Sequence, residues 1–305
     1  MKQLYPMFKL RELIKFLGIV ILVITLAVAF ILQYRRKGIK STHSDADIGN
    51  NYLLLDEGGL AVTFLDAGKA DAIVIYTNHS TVLIDTGLKS EGKELVQFLQ
   101  DREIDTIDYL ILTHFDKDHV GGAAKVIENL KVNNIITSDY LKDSEEVENY
   151  LEACEKAQIQ PEILKETISF TLDNVRYTVY PHIASSYPEQ ESNNSSLIIS
   201  VEHGENRILI TGDANNLRIK EFLIDQEKNF DYQLLKVPYH GRYMECLKEL
   251  VSTIQPQYSI ITSSDEKKEN NETVRLLEEE GAKVLLTREG AITVVSDGNI
   301  LSIEQ

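Results

Sequence analysis

Four side chains that can bind a metal ion lie within six consecutive positions of this 305-residue chain. Residues 113–122 read Thr-His-Phe-Asp-Lys-Asp-His-Val-Gly-Gly, so the four are His114, Asp116, Asp118 and His119. The apolar, β-branched run at 107–113 predicts a buried strand, and residues 123–130 after the two glycines predict a helix. Helix capping alone needs one carboxylate and no histidine, so the pattern favours a metal site on a strand-to-helix loop.

Three more metal-capable residues follow apolar runs elsewhere in the chain. Asp85 ends Val-Leu-Ile-Asp, Asp213 ends Ile-Leu-Ile-Thr-Gly-Asp, and His240 follows Leu-Leu-Lys-Val-Pro-Tyr. An aspartate at a strand end is by itself typical of a turn. In combination with the cluster at 114–119, the metal interpretation is favoured. Imidazole and carboxylate ligands suit zinc, manganese or iron, and the two aspartates of the loop favour manganese or iron.

The rest of the chain alternates short strands with amphipathic helices. Strands are predicted at residues 60–66, 72–77, 81–84, 107–113, 168–171, 175–180, 197–201, 207–211, 232–237, 258–262, 283–286 and 291–296. Further helices are predicted at residues 88–100, 145–158, 216–227 and 272–280. This order predicts two mixed sheets with helices outside them. His203, in Glu-His-Gly-Glu, is predicted to lie exposed at a hairpin tip.

The N-terminal region is predicted to anchor the chain in a membrane. Residues 16–32 form a run of 17 residues in which only Gly18 and Thr25 are not hydrophobic, just enough to cross a bilayer. The run continues into Arg35-Arg36-Lys37, which favours a single-pass anchor over a signal peptide cleaved after residues 27–29. We therefore expect a basic flank and transmembrane helix at 1–40, a polar linker at 41–51, and a globular domain at 52–305 outside the cytoplasm.

The ordered motifs resemble the metallo-β-lactamase superfamily, in particular the C-terminal hydrolase domain of the ComEC competence proteins. The motifs are Leu-Ile-Asp-Thr-Gly at 83–87, the loop at 113–122, Thr-Gly-Asp at 211–213 and Pro-x-His-Gly at 238–241. Phe-Leu-Asp-Ala-Gly at 64–68 and Asn-Asn-Ser-Ser-Leu at 193–197 match the same branch. The resemblance covers roughly residues 60–298. It implies an α+β fold, a four-layer αββα sandwich with the metal site at one edge of the two sheets.

The resemblance also implies a role for each site residue. It assigns His114 and Asp116 to one divalent metal, Asp118 and His119 to a second, Asp213 as the bridge, and His240 as a terminal ligand. Asp85 would orient a ligating imidazole. The expected cofactors are two divalent ions, zinc or manganese, and Asp118 would position or deprotonate the attacking water.

Several positions differ from the pattern of these relatives. Asn193-Asn194 stand where most of the superfamily has a ligating histidine, and Tyr239 stands where the ComEC branch has a second histidine. All three are candidate neighbours of the first metal or the substrate. The Gly-Gln-Gly-Asp turn of the branch is Gly-Lys-Ala-Asp at 68–71 here. Lys69 is therefore either a solvated turn residue or a cation facing the substrate.

The resemblance implies nuclease-like hydrolysis of phosphodiester bonds, with single-stranded DNA as one substrate. Residues 1–40 carry eight basic residues and one acidic residue, so the total charge of −17 leaves −24 on residues 41–305. Such a charge repels polyanions, so a small or cell-surface phosphoester is the alternative substrate. A membrane-tethered binding or scaffold module with weak catalysis is the alternative of another class. The expected partners are a bacterial-type membrane and a phosphoester; the sequence indicates no protein partner.

Overall fold

Fifteen strands form two mixed sheets in the computed structural model, which describes residues 55–224 and 230–305. The predicted basic flank and transmembrane anchor at 1–40 and the linker at 41–51 lie outside the described residues. Within the described ranges, no helix combines the length and the apolar character needed to cross a bilayer.

The first sheet has eight strands in the order β15-β14-β1-β2-β3-β4-β5-β6. Their bounds are Leu60–Phe64 (β1), Ile73–Tyr76 (β2), Thr81–Ile84 (β3), Thr106–Leu112 (β4), Lys131–Thr137 (β5), Glu162–Ile163 (β6), Ile292–Ser296 (β14) and Leu301–Glu304 (β15). Strands β3 to β6 run parallel to one another, and the others pair antiparallel. All residues of β2 and β3 are buried because the sheet is covered on both faces.

The second sheet has seven strands in the order β13-β12-β11-β10-β9-β8-β7. Their bounds are Ile168–Leu172 (β7), Val175–Tyr180 (β8), Ile198–His203 (β9), Asn206–Ile210 (β10), Leu234–Lys236 (β11), Tyr258–Ile261 (β12) and Lys283–Leu286 (β13). Strands β10 to β13 are parallel, and β7 to β10 are antiparallel. Each sheet therefore has one parallel half. The C-terminal ends of its parallel strands lie together at one edge of that sheet.

Helices cover the outer face of each sheet. Their bounds are Gly92–Gln100 (α1), Lys117–Val120 (α2), Ala123–Asn129 (α3), Glu145–Ala157 (α4), Glu191–Asn194 (α5), Asn216–Ile224 (α6), Leu247–Ile254 (α7) and Asn271–Glu279 (α8), with 3-10 turns at Lys89–Glu91, Pro238–Gly241 and Thr287–Glu289. One apolar core joins the two sheets. A second lies between the first sheet and α1, α3 and α4, and a third between the second sheet and α6, α7 and α8. These layers are the predicted αββα sandwich.

Most predicted elements are present, with ends that differ by at most three residues. The predicted helix at 88–100 is a 3-10 turn followed by α1, and the metal loop contains the additional one-turn helix α2. The strand β5 and the helix α7 were not predicted. His203 is buried rather than exposed, so this prediction was wrong. Its ring nitrogens lie within hydrogen-bond distance of Ser296 Oγ, Asn174 Nδ2 and the Gly58 carbonyl. Its partner Ser296 is 93 residues away in the chain, which no local pattern reveals.

Candidate metal centre

The parallel strands of both sheets bring the predicted ligands to one edge. Asp85 follows β3 and His114 follows β4 in the first sheet, while Asp213 follows β10 and His240 follows β11 in the second. Carboxyl ends of neighbouring parallel strands lie side by side, so these residues meet although they are far apart in the chain. His119 joins them from the one-turn helix α2.

Four buried ligand atoms lie at this edge. They are the Nε2 atoms of His114, His119 and His240 and the Oδ1 atom of Asp213, and among the described residues none of the four has a hydrogen-bond partner. Asp213 Oδ1 lies 3.4 Å from His119 Nε2 and 3.2 Å from His240 Nε2. Ligands on a tetrahedral zinc ion with bonds of about 2.0 Å stand about 3.3 Å apart. These two separations fit ligands of a divalent transition metal. His114, His119 and Asp213 form one convergent group, and Asp118, His119 and His240 form another.

Hydrogen bonds on the far side of each ring set the direction of the ligand lone pair. His119 Nδ1 donates to Asp85 Oδ2 at 2.7 Å. The Thr113 hydroxyl donates to the same carboxylate at 2.6 Å, so it accepts from His114 Nδ1 at 3.1 Å. Each ring with its proton on Nδ1 presents the unprotonated Nε2 to the centre. Asp85 thus orients two imidazoles, one directly and one through Thr113.

Asp71 orients the His240 ring, as Asp85 orients the rings of His114 and His119. The Thr262 hydroxyl donates to Asp71 Oδ1 at 2.6 Å and accepts from His240 Nδ1 at 2.9 Å. Asp71 also forms a fully buried ion pair with Lys236, whose ammonium donates to the Gly212 carbonyl at 2.8 Å. Sequence reasoning missed Asp71 and Lys236. The available signals were the aspartate of the turn at 68–71 and a lysine within an apolar run.

Both remaining aspartates of the metal loop are paired with lysines. Lys69 Nζ lies 2.8 Å from Asp118 Oδ2, and Lys142 Nζ lies 2.7 Å from Asp116 Oδ1. Ser192 Oγ donates to Asp116 Oδ1 at 2.5 Å. Asp118 belongs to a convergent cluster with His119 and His240, whereas the clusters found among the described residues do not include Asp116. Asp116 Oδ2 nevertheless lies 3.9 Å from Nε2 of His114, the ring with which it was predicted to share a metal.

The other candidate residues surround the centre without converging on it. Asn194 is buried, but its amide accepts from the Arg218 backbone N–H and donates to the Glu189 carbonyl. Asn193 is buried beside it at the end of α5. Tyr239 precedes the ligand His240, and its hydroxyl accepts from Arg242 at 3.1 Å.

The charges in the pocket shift the pKa values of the ligands in opposite directions. Burial lowers the pKa of His114 to about 4, with the charge of His119 adding to the effect. For His119, burial acts in the same direction, but the carboxylates of Asp213 and Asp85 raise its pKa well above 6.5. Burial would raise the pKa of Asp213, yet His240 and His119 hold it well below 3.8. Without a metal, His119 therefore holds a second ring proton far more strongly than His114 does.

Strained and tightly packed backbone presents these ligands. Tyr239 and His240 adopt φ angles of 54° and 51°, and Asp85 adopts 55°, a region that side chains other than glycine rarely occupy. Gly122 allows the metal loop to lie against the end of β3, because a Cβ atom there would stand 2.4 Å from the Thr86 carbonyl oxygen. Such positions cost stability and persist where surrounding structure determines them.

Comparison with known proteins identifies the class. Residues 65–262 match the sequence profile of the metallo-beta-lactamase superfamily, so the chain belongs to this family. It has the fold of a metal-dependent hydrolase, and the family implies divalent-metal binding.

The curated relatives include a ComE operon protein and a recombination protein. ComE operon protein 3 of Bacillus subtilis (strain 168) is 27% identical over 248 residues, which cover 74% of this chain and 31% of that protein. Recombination protein 2 of Haemophilus influenzae is 28% identical over 208 residues, covering 66% of this chain and 24% of that protein. The predicted resemblance to the competence proteins is confirmed. The chain spans less than a third of the length of either relative.

Solved structures show the same fold. The metallo-beta-lactamase fold protein YhfI from Bacillus subtilis superposes with a TM-score of 0.52 at 11% identity, covering 81% of this chain and all of that one (100%). A CmlA beta-hydroxylase has a TM-score of 0.52 at 12% identity, covering 74% of this chain and 52% of that one. At such identities the likeness concerns the fold alone.

Proposed function

We propose that this chain is a membrane-anchored hydrolase of phosphodiester bonds that acts through two divalent ions, zinc or manganese. The observation that carries the proposal is a set of three histidine Nε2 atoms and Asp213 Oδ1, all buried and without hydrogen-bond partners among the described residues. These residues belong to two convergent groups that share His119. Such atoms are costly to bury unless something binds them. Divalent cations bound at this edge would satisfy these atoms.

Bound divalent ions would lower the pKa of water and so supply hydroxide near neutral pH. The chain's own residues would direct this hydroxide toward the substrate. Asp118 stands at the rim, with its side chain 18% exposed and Oδ2 3.6 Å from His240 Nε2, where it would position the attacking water or accept its proton. Tyr239 and Arg242, which are bonded to each other beside His240, would donate to the anionic oxygens of the substrate.

Two of the relatives' names, Recombination protein 2 and Competence protein ComA, support a nucleic-acid substrate. The charge of −24 on residues 41–305 opposes the approach of a long polyanion. Lys69, Lys142 and Arg242 supply positive charge beside the centre. We propose single-stranded DNA as the substrate and a small or cell-surface phosphoester as the alternative.

The place of action follows from the N-terminal sequence. A single-pass anchor at 16–32 would hold the domain at the cell membrane, with the hydrolase part outside the cytoplasm. The substrate would then be met at the cell surface, and its contact with the membrane would come from the anchor.

A binding or scaffold module is the second candidate, and one observation favours it. Both loop carboxylates, Asp116 and Asp118, are neutralised by lysines rather than left open for ions. In that case the fold would retain its shape and bind its partner without hydrolysis.

One experiment separates the two. The purified full-length chain is analysed for bound transition metals and assayed on bis(p-nitrophenyl) phosphate and on single-stranded DNA at physiological salt. We expect bound metal and diester hydrolysis, both abolished by Asp213→Ala and unchanged by Asp105→Ala, which alters an exposed aspartate. Native protein that carries metal but hydrolyses neither substrate would support the scaffold. Activity on the small diester with none on DNA would support the alternative substrate.

A further inference from the structure

The two oxygens of the Asp116 carboxylate have different surroundings. Lys142 Nζ donates a hydrogen bond to Oδ1 at 2.7 Å, and Ser192 Oγ donates to the same atom at 2.5 Å. Oδ2 accepts no hydrogen bond from the residues that the structure describes, and it lies 3.9 Å from His114 Nε2, which is also without a partner among them. The chain therefore holds one oxygen and leaves the other free beside a ligand atom.

Holding Oδ1 fixes the position of Oδ2. A carboxylate without partners rotates broadly about its Cβ–Cγ bond, because this torsion joins a tetrahedral carbon to a planar one. A hydrogen bond to one oxygen limits that rotation, and the bond from Ser192 is as short as bonds from hydroxyls to ionised carboxylates are. Two ligands of one zinc ion, with bonds of about 2.0–2.2 Å, stand at most about 4.3 Å apart. Asp116 Oδ2 and His114 Nε2 are thus close enough to share an ion.

The segment that carries Ser192 is itself fixed to the metal loop. Ser192 lies in the one-turn helix α5 and is half-buried. Directly after this helix, the Ser195 carbonyl accepts from the buried Ser138 hydroxyl at 2.7 Å. The Leu197 N–H then donates to the Thr113 carbonyl at 2.9 Å. Because Thr113 precedes the ligand His114, the Ser192 hydroxyl has a defined position relative to the loop that it contacts.

We propose that Ser192 is a positioning residue, which holds Oδ1 of Asp116 so that Oδ2 binds a divalent ion together with His114. The inference rests on the proposed metal centre and is independent of the substrate. Lys142 holds the same oxygen, but its ammonium also repels a metal cation, so its removal would have two opposing effects. Ser192 carries no charge, and its removal therefore reports the positioning alone.

Three substitutions separate the hydroxyl from the size of the side chain. Ser192→Ala removes the hydroxyl, Ser192→Thr keeps it, and Ser192→Val has nearly the shape of threonine without it. Ser252→Ala is the matched control, because the Ser252 hydroxyl donates to the Lys248 carbonyl on the exposed face of α7. Circular dichroism of each variant verifies that it is folded.

A double-mutant cycle tests whether Ser192 acts through Asp116. Asp116→Ala removes the carboxylate that Ser192 holds. If the hydroxyl affects the metal by holding that carboxylate, Ser192→Ala causes no further loss of affinity in the Asp116→Ala chain. Effects of residues that act through one contact are non-additive in this way, whereas those of independent residues add.

The full-length native chain and its variants are stripped with a chelator and titrated with Co²⁺ at neutral pH, and bound metal is counted after equilibrium dialysis. We expect Ser192→Ala and Ser192→Val to weaken the binding of one Co²⁺ equivalent by about 10- to 100-fold, the usual effect of removing a partner of a metal ligand. Ser192→Thr and Ser252→Ala should match the native chain.

Native affinity in both Ser192→Ala and Ser192→Val would overturn the inference and leave the proposed hydrolase standing, because the metal would still bind. Equal losses in Ser192→Thr and Ser192→Val would also overturn it, since size rather than the hydroxyl would then matter. The same holds for an undiminished effect of Ser192→Ala in the Asp116→Ala chain. A native chain that binds no metal would refute the proposed function and the inference together.

Discussion

The buried ion pair between Lys236 and Asp71 is the feature whose removal we expect to cost the domain most stability. Both side chains have 0% exposure, and the pair joins β11 of the second sheet to the turn that precedes β2 of the first. Burial disfavours both charges, but their attraction lowers the pKa of Asp71 and raises the pKa of Lys236. The pair thus stays ionised throughout the neutral range.

Lys236→Met removes the ammonium and leaves the Asp71 carboxylate buried without its cation. Removing one partner of a buried pair costs about 3–5 kcal/mol, and the full burial here gives no solvent screening to reduce that figure. Methionine fills a similar volume, so little of the loss comes from a cavity. The free energy of unfolding is measured by urea denaturation of the metal-free chain, with Lys283→Met, an exposed lysine on β13, as the control.

A second variant separates charge from shape. In Lys236→Met/Asp71→Asn the carboxylate is gone, while the asparagine oxygen can still accept from Thr262. This double variant should recover about 1–3 kcal/mol relative to Lys236→Met, because no uncompensated charge remains. The reasoning is refuted if Lys236→Met costs less than about 1 kcal/mol or if the double variant is no more stable than the single one.

Two further predictions concern the metal. Thr262→Val removes the hydroxyl that links His240 to Asp71, and it should weaken metal affinity by about 10- to 100-fold in a Co²⁺ titration. The control Thr253→Val, on the exposed face of α7, should leave the affinity unchanged. Equal metal affinities in the two variants would contradict the orienting role of Thr262. Because the pKa of His119 in the metal-free pocket lies well above 6.5, its ring is protonated at pH 7 and must lose a proton to bind metal. Calorimetry in buffers of different ionisation enthalpy should show this proton release. The metal affinity should rise with pH and level off above the pKa of His119. His114, with a pKa of about 4, should release no proton on binding metal.

Local patterns were sufficient to predict the strands that carry the ligands. The strand β3 was predicted at 81–84 and lies at Thr81–Ile84, and Asp85, His114 and Asp213 were recognised because each follows an apolar run. The helix α7 was missed although Leu247, Leu250, Val251 and Ile254 repeat with helical spacing. The strand β5 was missed because Asn133 and Asn134 interrupt its apolar run with two exposed polar residues.

The sequence by itself determined the ligand loop, because four ligand side chains within six residues are close together in any conformation. It also determined that apolar runs end in metal-capable residues, since strand periodicity is a local property. Only the tertiary structure decided which of those residues share a centre and what holds them. Lys236 is buried because β11 lies between β10 and β12. It is paired because the turn at 68–71 comes from the opposite sheet. Whether Asp118 faces a metal or Lys69 likewise depends on contacts between segments far apart in the chain, which residue order alone does not specify.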